Sequence, residues 1–301
     1  MSKDKYVAYV GTYTHGSSIG IHVYDLDVEN GYMTEREVVP VNNASHVAKS
    51  NNGKYLYSIA DEGVEVLKIK EDGGLEPINK VGIDGMRGCF LSTDKEGKFL
   101  FVCGYHDGKI TVVRIKEDGS LGEVLDGIFH QGLGSVAERN FRPRVTCAMI
   151  TPDDKYLCVV DNGIDQVNQT NGKLKLYDII RCELESGPRL IRFSRDGRFA
   201  YVNCELTNEV LVYAYDASGE GGKFEQIQKV DISDSKDHYG CASSGLRIAP
   251  SGKYLYCTTA GSETAGVFKI DPGTGMLSKI CILPISGKYP KDVAVFPDEK
   301  T

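Results

Sequence analysis

The chain has 301 residues, 41% of them hydrophobic and 26% charged, and carries a formal net charge of −7. This balance describes a folded globular protein and gives no global basic field for nucleic acid or anionic lipid. No apolar run approaches the roughly 18–20 residues that cross a bilayer as a helix.

Met1-Ser2-Lys3-Asp4-Lys5 passes straight into the strand pattern Lys5-Tyr6-Val7-Ala8-Tyr9-Val10, with no apolar leader between them. The turn Asn52-Gly53-Lys54 then opens an aromatic strand, Tyr55-Leu56-Tyr57. A third strand, Val64–Ile69, follows, and a Glu71-Asp72-Gly73-Gly74 turn leads to a short fourth beginning at Leu75. The same phrase returns at Glu96-Gly97-Lys98-Phe99-Leu100-Phe101, with Ile110–Ile115 as its third strand. Further copies begin at Asp153-Asp154-Lys155-Tyr156, Asp196-Gly197-Arg198-Phe199 and Ser251-Gly252-Lys253-Tyr254, and a last turn begins at Pro297-Asp298-Glu299-Lys300. Glycine after Asp or Asn supplies the positive φ of a tight hairpin, and alternating aromatics suit a half-buried strand. Seven starts between Lys5 and Lys300 give a mean period of about 49 residues, in the range of propeller blades. No segment sustains a 3.6-residue apolar period, so helices are expected to be few and short.

The fold expected is all-β: a seven-bladed β-propeller of four-stranded antiparallel blades, in one domain over residues 1–301. Two irregularities are expected. After Asp161-Asn162-Gly163-Ile164-Asp165-Gln166-Val167 the third strand of that blade reads as missing or shortened, with Asn168–Lys173 as the turn beyond it. The last blade reads as truncated after one strand, Asp292-Val293-Ala294-Val295-Phe296, where a full ring of this period needs roughly 340 residues. Such a truncation would leave exposed strand edges. Nine cysteines, odd in number and without a CxxC pair, argue against a disulfide framework and for buried reduced thiols in a cytoplasmic protein.

Tyr9-Val10-Gly11-Thr12-Tyr13-Thr14 followed by Gly20-Ile21-His22-Val23-Tyr24 resembles the first blade of the seven-bladed propeller lactonases. The likeness continues through Asp161-Asn162-Gly163-Ile164-Asp165 and Gly187-Pro188-Arg189-Leu190-Ile191-Arg192-Phe193 to Tyr289-Pro290-Lys291-Asp292, covering essentially the whole chain. The family includes 6-phosphogluconolactonases and a fungal carboxy-muconate cycloisomerase, both of which handle anionic lactones without a metal. The resemblance implies a site at one end of the central channel, built on a Pro-His histidine, a Gly-Pro-Arg arginine, a Glu-Leu glutamate and a further arginine. Here Gly187-Pro188-Arg189 keeps the arginine and Cys204-Glu205-Leu206 keeps the glutamate. The histidine position reads Pro143-Arg144, the second arginine position falls on Thr259-Ala260, and a further Pro-Cys-His-like position reads Gly88-Cys89-Phe90.

Opening a lactone needs an activated water, a polarised carbonyl and a seat for the substrate's anionic groups. The catalytic residues expected are Glu205 as general base and Arg189 as a fork for a carboxylate, a phosphate or the developing oxyanion. The alternative is that the two simply pair across the channel rim. Arg139, Arg142 and Arg144 are expected to bind substrate as an anion funnel at the channel mouth, the alternative being a solvated loop. An arginine in the histidine's place keeps anion binding but cannot act as a base near neutral pH. His106, in Tyr105-His106-Asp107-Gly108, is a further substrate-binding candidate whose alternative is a surface turn.

The six histidines have no metal-ligand spacing, and no GxSxG elbow or phosphate-loop context is present, so neither metal nor cofactor is expected. The function this supports is hydrolysis of a sugar-acid lactone such as 6-phosphogluconolactone by a cytoplasmic monomer with no nucleic-acid or membrane partner. The altered histidine and arginine positions support a different class, an impaired propeller that binds an anionic metabolite or a protein. Cycloisomerisation of a muconate would need the same arginine–glutamate core.

Overall fold

The structure, a computed structural model, describes residues 6–132, 142–161, 164–170, 173–219, 222–233 and 240–299. The repeated turn is the local event that generates the architecture. Gly53, Gly97, Gly197 and Gly252 take φ between 69° and 75°, while Asp154 and Glu299 hold the same place at 60° and 53°. Four of these turns are closed by the side chain of the residue just after the preceding strand. Ser50 Oγ accepts from the Tyr55 amide (2.9 Å), Asp94 Oδ1 from Phe99 (2.8 Å), Thr151 Oγ1 from Tyr156 (3.1 Å) and Ser194 Oγ from Phe199 (3.0 Å).

Strands β1 (Tyr6–Gly11), β2 (Gly20–Asp27) and β3 (Tyr32–Pro40) form a three-stranded antiparallel sheet. Five four-stranded meanders follow. The first holds β4 (Val47–Lys49), β5 (Tyr55–Ala60), β6 (Gly63–Ile69) and β7 (Leu75–Val81), and the second β8 (Phe90–Thr93), β9 (Phe99–Gly104), β10 (Lys109–Ile115) and β11 (Leu121–Phe129). The third holds β12 (Cys147–Ile150), β13 (Tyr156–Val160), β14 (Ile164–Thr170) and β15 (Lys173–Ile180). The fourth runs through β16 (Pro188–Phe193), β17 (Phe199–Cys204), β18 (Glu209–Asp216) and β19 (Lys223–Asp231), and the fifth through β20 (Ala242–Ile248), β21 (Tyr254–Ala260), β22 (Thr264–Ile270) and β23 (Leu277–Pro284). The first strands of successive sheets, β4, β8, β12, β16 and β20, touch one another in that order, so the sheets radiate from a common channel as propeller blades. No helix occurs among the described residues.

The aromatic phrase also locks neighbouring blades. Tyr9 donates its hydroxyl to Gly73 O (2.8 Å), Tyr57 to Gly119 O (3.5 Å) and Tyr201 to Gly275 O (3.0 Å). Each acceptor is the left-handed glycine in the last hairpin of the next blade, with φ of 85°, 79° and 72°. These glycines lie so close to the preceding blade that a Cβ would meet Val7 at 2.6 Å, Tyr55 at 2.2 Å and Phe199 at 2.3 Å. Tyr57, Phe101, Tyr201 and Phe268 are among the largest fully buried side chains, so the core lies between blades as well as within them.

Two sequence expectations need correction. The third blade is complete. β14 pairs with β13 from Tyr156↔Asn168 to Val160↔Ile164, and with β15 through Thr170↔Lys173. The run from Asn168 reads as a turn because asparagine, glutamine and threonine replace the usual aliphatics, yet the ladder uses only backbone groups. The segment Asp292–Phe296 forms no ladder strand. It lies beside β20, where Ser244 Oγ donates to Pro290 O (2.6 Å) and Arg247 Nε to Val293 O (3.1 Å). The first strands of the four-stranded blades owe their ladders to their second strands, and no described strand offers one here. A cleft of about 940 Å³ lies between β1, Arg247–Pro250 and Ala294–Val295.

Blade locking predicts unequal costs for one substitution type. Gly252→Ala has room for its methyl group and incurs only the left-handed penalty, about 1–2 kcal/mol. Gly119→Ala adds a clash with the Tyr55 ring and costs roughly 1–3 kcal/mol more. Urea denaturation of the two variants side by side measures the difference, and equal midpoints would contradict the locking role.

Candidate active site at the channel mouth

The chain enters each blade's innermost strand from one end of the channel, and several charged residues gather there. At β16 the ladder pairs Pro188 with Cys204 and Leu190 with Asn203, so Arg189 is an extra, bulged residue. A bulge re-aims the side chain it carries. Glu205 follows β17 directly and is fixed by its amide to Gly187 O (2.6 Å), while its carbonyl accepts from the Ser243 amide (3.1 Å). Gly187, at φ 62°, leaves room for Leu206, whose Cγ would stand 2.9 Å from a Cβ there.

These constraints bring the two side chains together. Arg189 Nη1 donates to Glu205 Oε2 at 2.7 Å, with both side chains about a quarter exposed. Glu205 Oε1 and the Nε and Nη2 of Arg189 have no hydrogen-bond partner among the described residues. The pairing expected as an alternative therefore exists, and it leaves free edges on both groups.

Arg144 stands one blade back, just before β12. Its amide donates to Asp161 Oδ1, its Nη1 donates to the Tyr105 hydroxyl, and its guanidinium lies 4.9 Å over the Tyr105 ring. Its Nε is buried without a hydrogen-bond partner. Arg142 is exposed two residues earlier, and Arg139 lies outside the described residues. His106 is exposed in the β9–β10 turn, edge-on to Tyr105 at 5.4 Å. Thus Arg189 and Glu205 are joined directly, while Arg144 and His106 share Tyr105 on neighbouring blades.

Several groups at this end were not singled out from the sequence. Arg87, before β8, occupies the place that Arg144 takes before β12. It pairs with Asp61 Oδ1 at 3.3 Å and lies 5.1 Å over the Tyr13 ring. His130 Nδ1 lies 2.9 Å from Asp161 Oδ2, with 9% and 6% of the two side chains exposed, so one carboxylate binds both His130 and the Arg144 amide. Position relative to the repeat was the available signal for Arg87. Nothing in the spacing of His130 and Asp161 marks them as partners.

Cys89 bridges this region, with its Sγ 3.4 Å from Val145 O. Burial pushes its thiol up to about 12 against the opposing pull of Arg189, so it is no nucleophile near neutral pH. All nine cysteines are free, and only Cys281 is exposed, a departure from the expectation of buried thiols.

Deeper in the channel, His46 stacks on Phe90 at 4.4 Å and accepts the Leu91 amide on Nδ1 at 3.2 Å. Burial pushes its imidazole down to about 4, with Asp292 raising it and Arg192 and Arg247 lowering it further. A depressed histidine leaves the unfolded chain binding more protons, so its contribution to stability is present above pH 6.5 and is lost as pH falls towards 4. His46→Asn keeps an acceptor for Leu91 and removes the titration. Stability measured across that window is expected to fall less steeply in the variant, and an unchanged slope would refute the assignment.

The family described as "Lactonase, 7-bladed beta-propeller" matches residues 7–301. A 6-phosphogluconolactonase of Bacillus subtilis is 32% identical over 308 residues, covering 98% of this chain and 86% of its own length. A 6-phosphogluconolactonase of Formosa agariphila is 28% identical, with 96% and 86% covered. The solved structure of a periplasmic gluconolactonase from Pseudomonas aeruginosa superposes with a TM-score of 0.91 at 25% identity, covering 98% of this chain and 87% of that one.

Proposed function

The chain belongs to the lactonase family of seven-bladed β-propellers and is a lactone hydrolase, and from that premise we propose that it opens 6-phosphogluconolactone at the Arg189–Glu205 pair. The observation that carries the assignment is the 2.7 Å contact that leaves Glu205 Oε1 and two guanidinium nitrogens without partners at the mouth. A water held by Oε1 attacks the lactone carbonyl carbon and gives its proton to the carboxylate. The carbonyl oxygen takes up the negative charge and is met by the free N–H groups of Arg189. Collapse of the tetrahedral intermediate breaks the ring C–O bond, and the proton on Glu205 passes to the departing ring oxygen. The product is the open hydroxy-acid, which is released as its carboxylate. Neither group needs to leave its blade, so the pair is held ready before substrate arrives.

Arg144 and Arg142 supply positive charge on the approach from the third blade, with His106 at its edge, and Arg139, close to them in sequence, is proposed to add to the same charge. Arg144 contributes a fixed cation where the family pattern has a histidine, so proton transfer in this reading rests on Glu205 alone. We read the ring as one domain with seven positions, the last flanked by β1 and the segment that binds Ser244 and Arg247. Free thiols on all nine cysteines support a cytoplasmic setting.

The test is hydrolysis of freshly prepared 6-phosphogluconolactone above its spontaneous rate. Glu205→Gln is expected to lower the catalysed rate about 10²–10⁴-fold and Arg189→Met about 10²–10³-fold. Wild-type protein indistinguishable from the spontaneous rate would overturn the reading. Activity that then appeared in Arg144→His would identify instead an impaired propeller that keeps its anion site.

A further inference from the structure

Below the mouth, each blade contributes a group to the same stretch of channel. Arg192, on β16, reaches past β12 to lie 5.5 Å over the ring of Phe90 on β8, and its Nη1 stands 3.8 Å from Cys147 Sγ on the way. A side chain touching blades one and two places away runs across the lumen. Its hydrogen bonds go to the Ile191 carbonyl and to that sulfur, and it has no carboxylate partner among the described residues. Phe90 is buried and its ring also meets that of His46, 4.4 Å away. Arg247 enters from β20, fixed by Nε to Val293 O and by Nη2 to Asp292 Oδ2 at 3.2 Å.

Arg192 and His46 thus both meet the Phe90 ring, while Arg247 holds the Asp292 carboxylate from the next blade. Arg192 and Arg247 both disfavour a charged His46, and Arg192 also acts on Arg247 across the blade boundary. Because Nδ1 of His46 accepts the Leu91 amide, the neutral ring carries its proton on Nε2 and offers a donor there. No described residue accepts that proton. Asp292 answers Arg247 and leaves the charge of Arg192 uncompensated, in a protein whose overall charge is −7. A half-buried guanidinium with no carboxylate partner among the described residues is suited to pairing with an incoming anion. Arg247 also borders the cleft beside β1, which opens this stretch to solvent.

We propose that the lumen holds an oxyanion-binding station, formed by Arg192, Arg247 and the Nε2–H of His46, separate from the Arg189–Glu205 pair. Its ligand is a phosphate or carboxylate group, forked by Arg192 and flanked by the other two donors. The proposal stands independently of the reaction assigned to the mouth.

Isothermal titration of the whole chain with inorganic phosphate at constant ionic strength tests it. Wild type is expected to bind about one equivalent, Arg192→Met at least about ten-fold more weakly, and Arg189→Met as wild type does. Arg247→Gln, on a more exposed side chain, is expected to weaken binding as well and serves if Arg192→Met fails to fold by circular dichroism. No binding by wild type, or binding lost in Arg189→Met and kept in Arg192→Met and Arg247→Gln, overturns the proposal. A competition arm identifies the source of the anion. Displacement of phosphate by 6-phosphogluconate but not by gluconate assigns the station to the substrate's phosphate group, and no displacement by either assigns it to a free inorganic anion.

Discussion

The contact between an aromatic strand and the hairpin glycine of the following blade is the constraint on which the molecule depends. Sheets of this kind have few covalent or helical links, so each must find its neighbour through side chains. The tyrosine hydroxyl reaches the carbonyl of a glycine that turns its chain the left-handed way, and the side chain two residues earlier (Val7, Tyr55 or Phe199) rests on that glycine. Register within a blade and spacing between blades are therefore set by the same few residues. Where the phrase places Phe101 in the tyrosine's position, the ring is still fully buried, so packing persists where the hydrogen bond is absent.

This rigidity positions the chemistry. Arg189 and Glu205 come from adjacent strands of one blade and need no loop movement to meet, since the backbone bonds of Glu205 to Gly187 and Ser243 hold the strand ends in place. The neighbouring mouth groups are tied too. Arg144 is held by Asp161 and Tyr105, and Arg87 by Asp61 and Tyr13. The mouth thus consists of charged groups already committed to a partner on one edge and open on another. Such groups hold their orientation in the absence of ligand, which favours selectivity for shape as well as charge.

Much of the fold was legible because it repeats. A glycine or aspartate before lysine or arginine, then an aromatic pair, marked the second strand of each blade. β14 escaped because its apolar alternation is interrupted by Gln166, Asn168 and Gln169, whereas its hydrogen bonds come from the main chain. The Asp292–Phe296 run had the composition of a strand but not its partner. At the site, Arg189 and Glu205 were legible through a family likeness in short motifs. Arg192 stood inside one of those motifs, yet its role depends on its reach across two blades, which no linear pattern encodes. The His130–Asp161 contact joins residues 31 apart on different blades, and only the ring brings them together.

The bulge at Arg189 has a consequence for how such a protein changes over generations. Without that residue, Pro188 and Leu190 would be consecutive opposite Cys204 and Asn203, and the ladder would be regular. The arginine is thus an insertion into an otherwise intact strand, carried by the fold rather than required by it. Its loss in a single codon deletion would leave Pro188 and Leu190 in a regular register against β17. Scaffold and chemistry are separable at this position, since the residue that carries the anion fork is not one of those that pair the two strands.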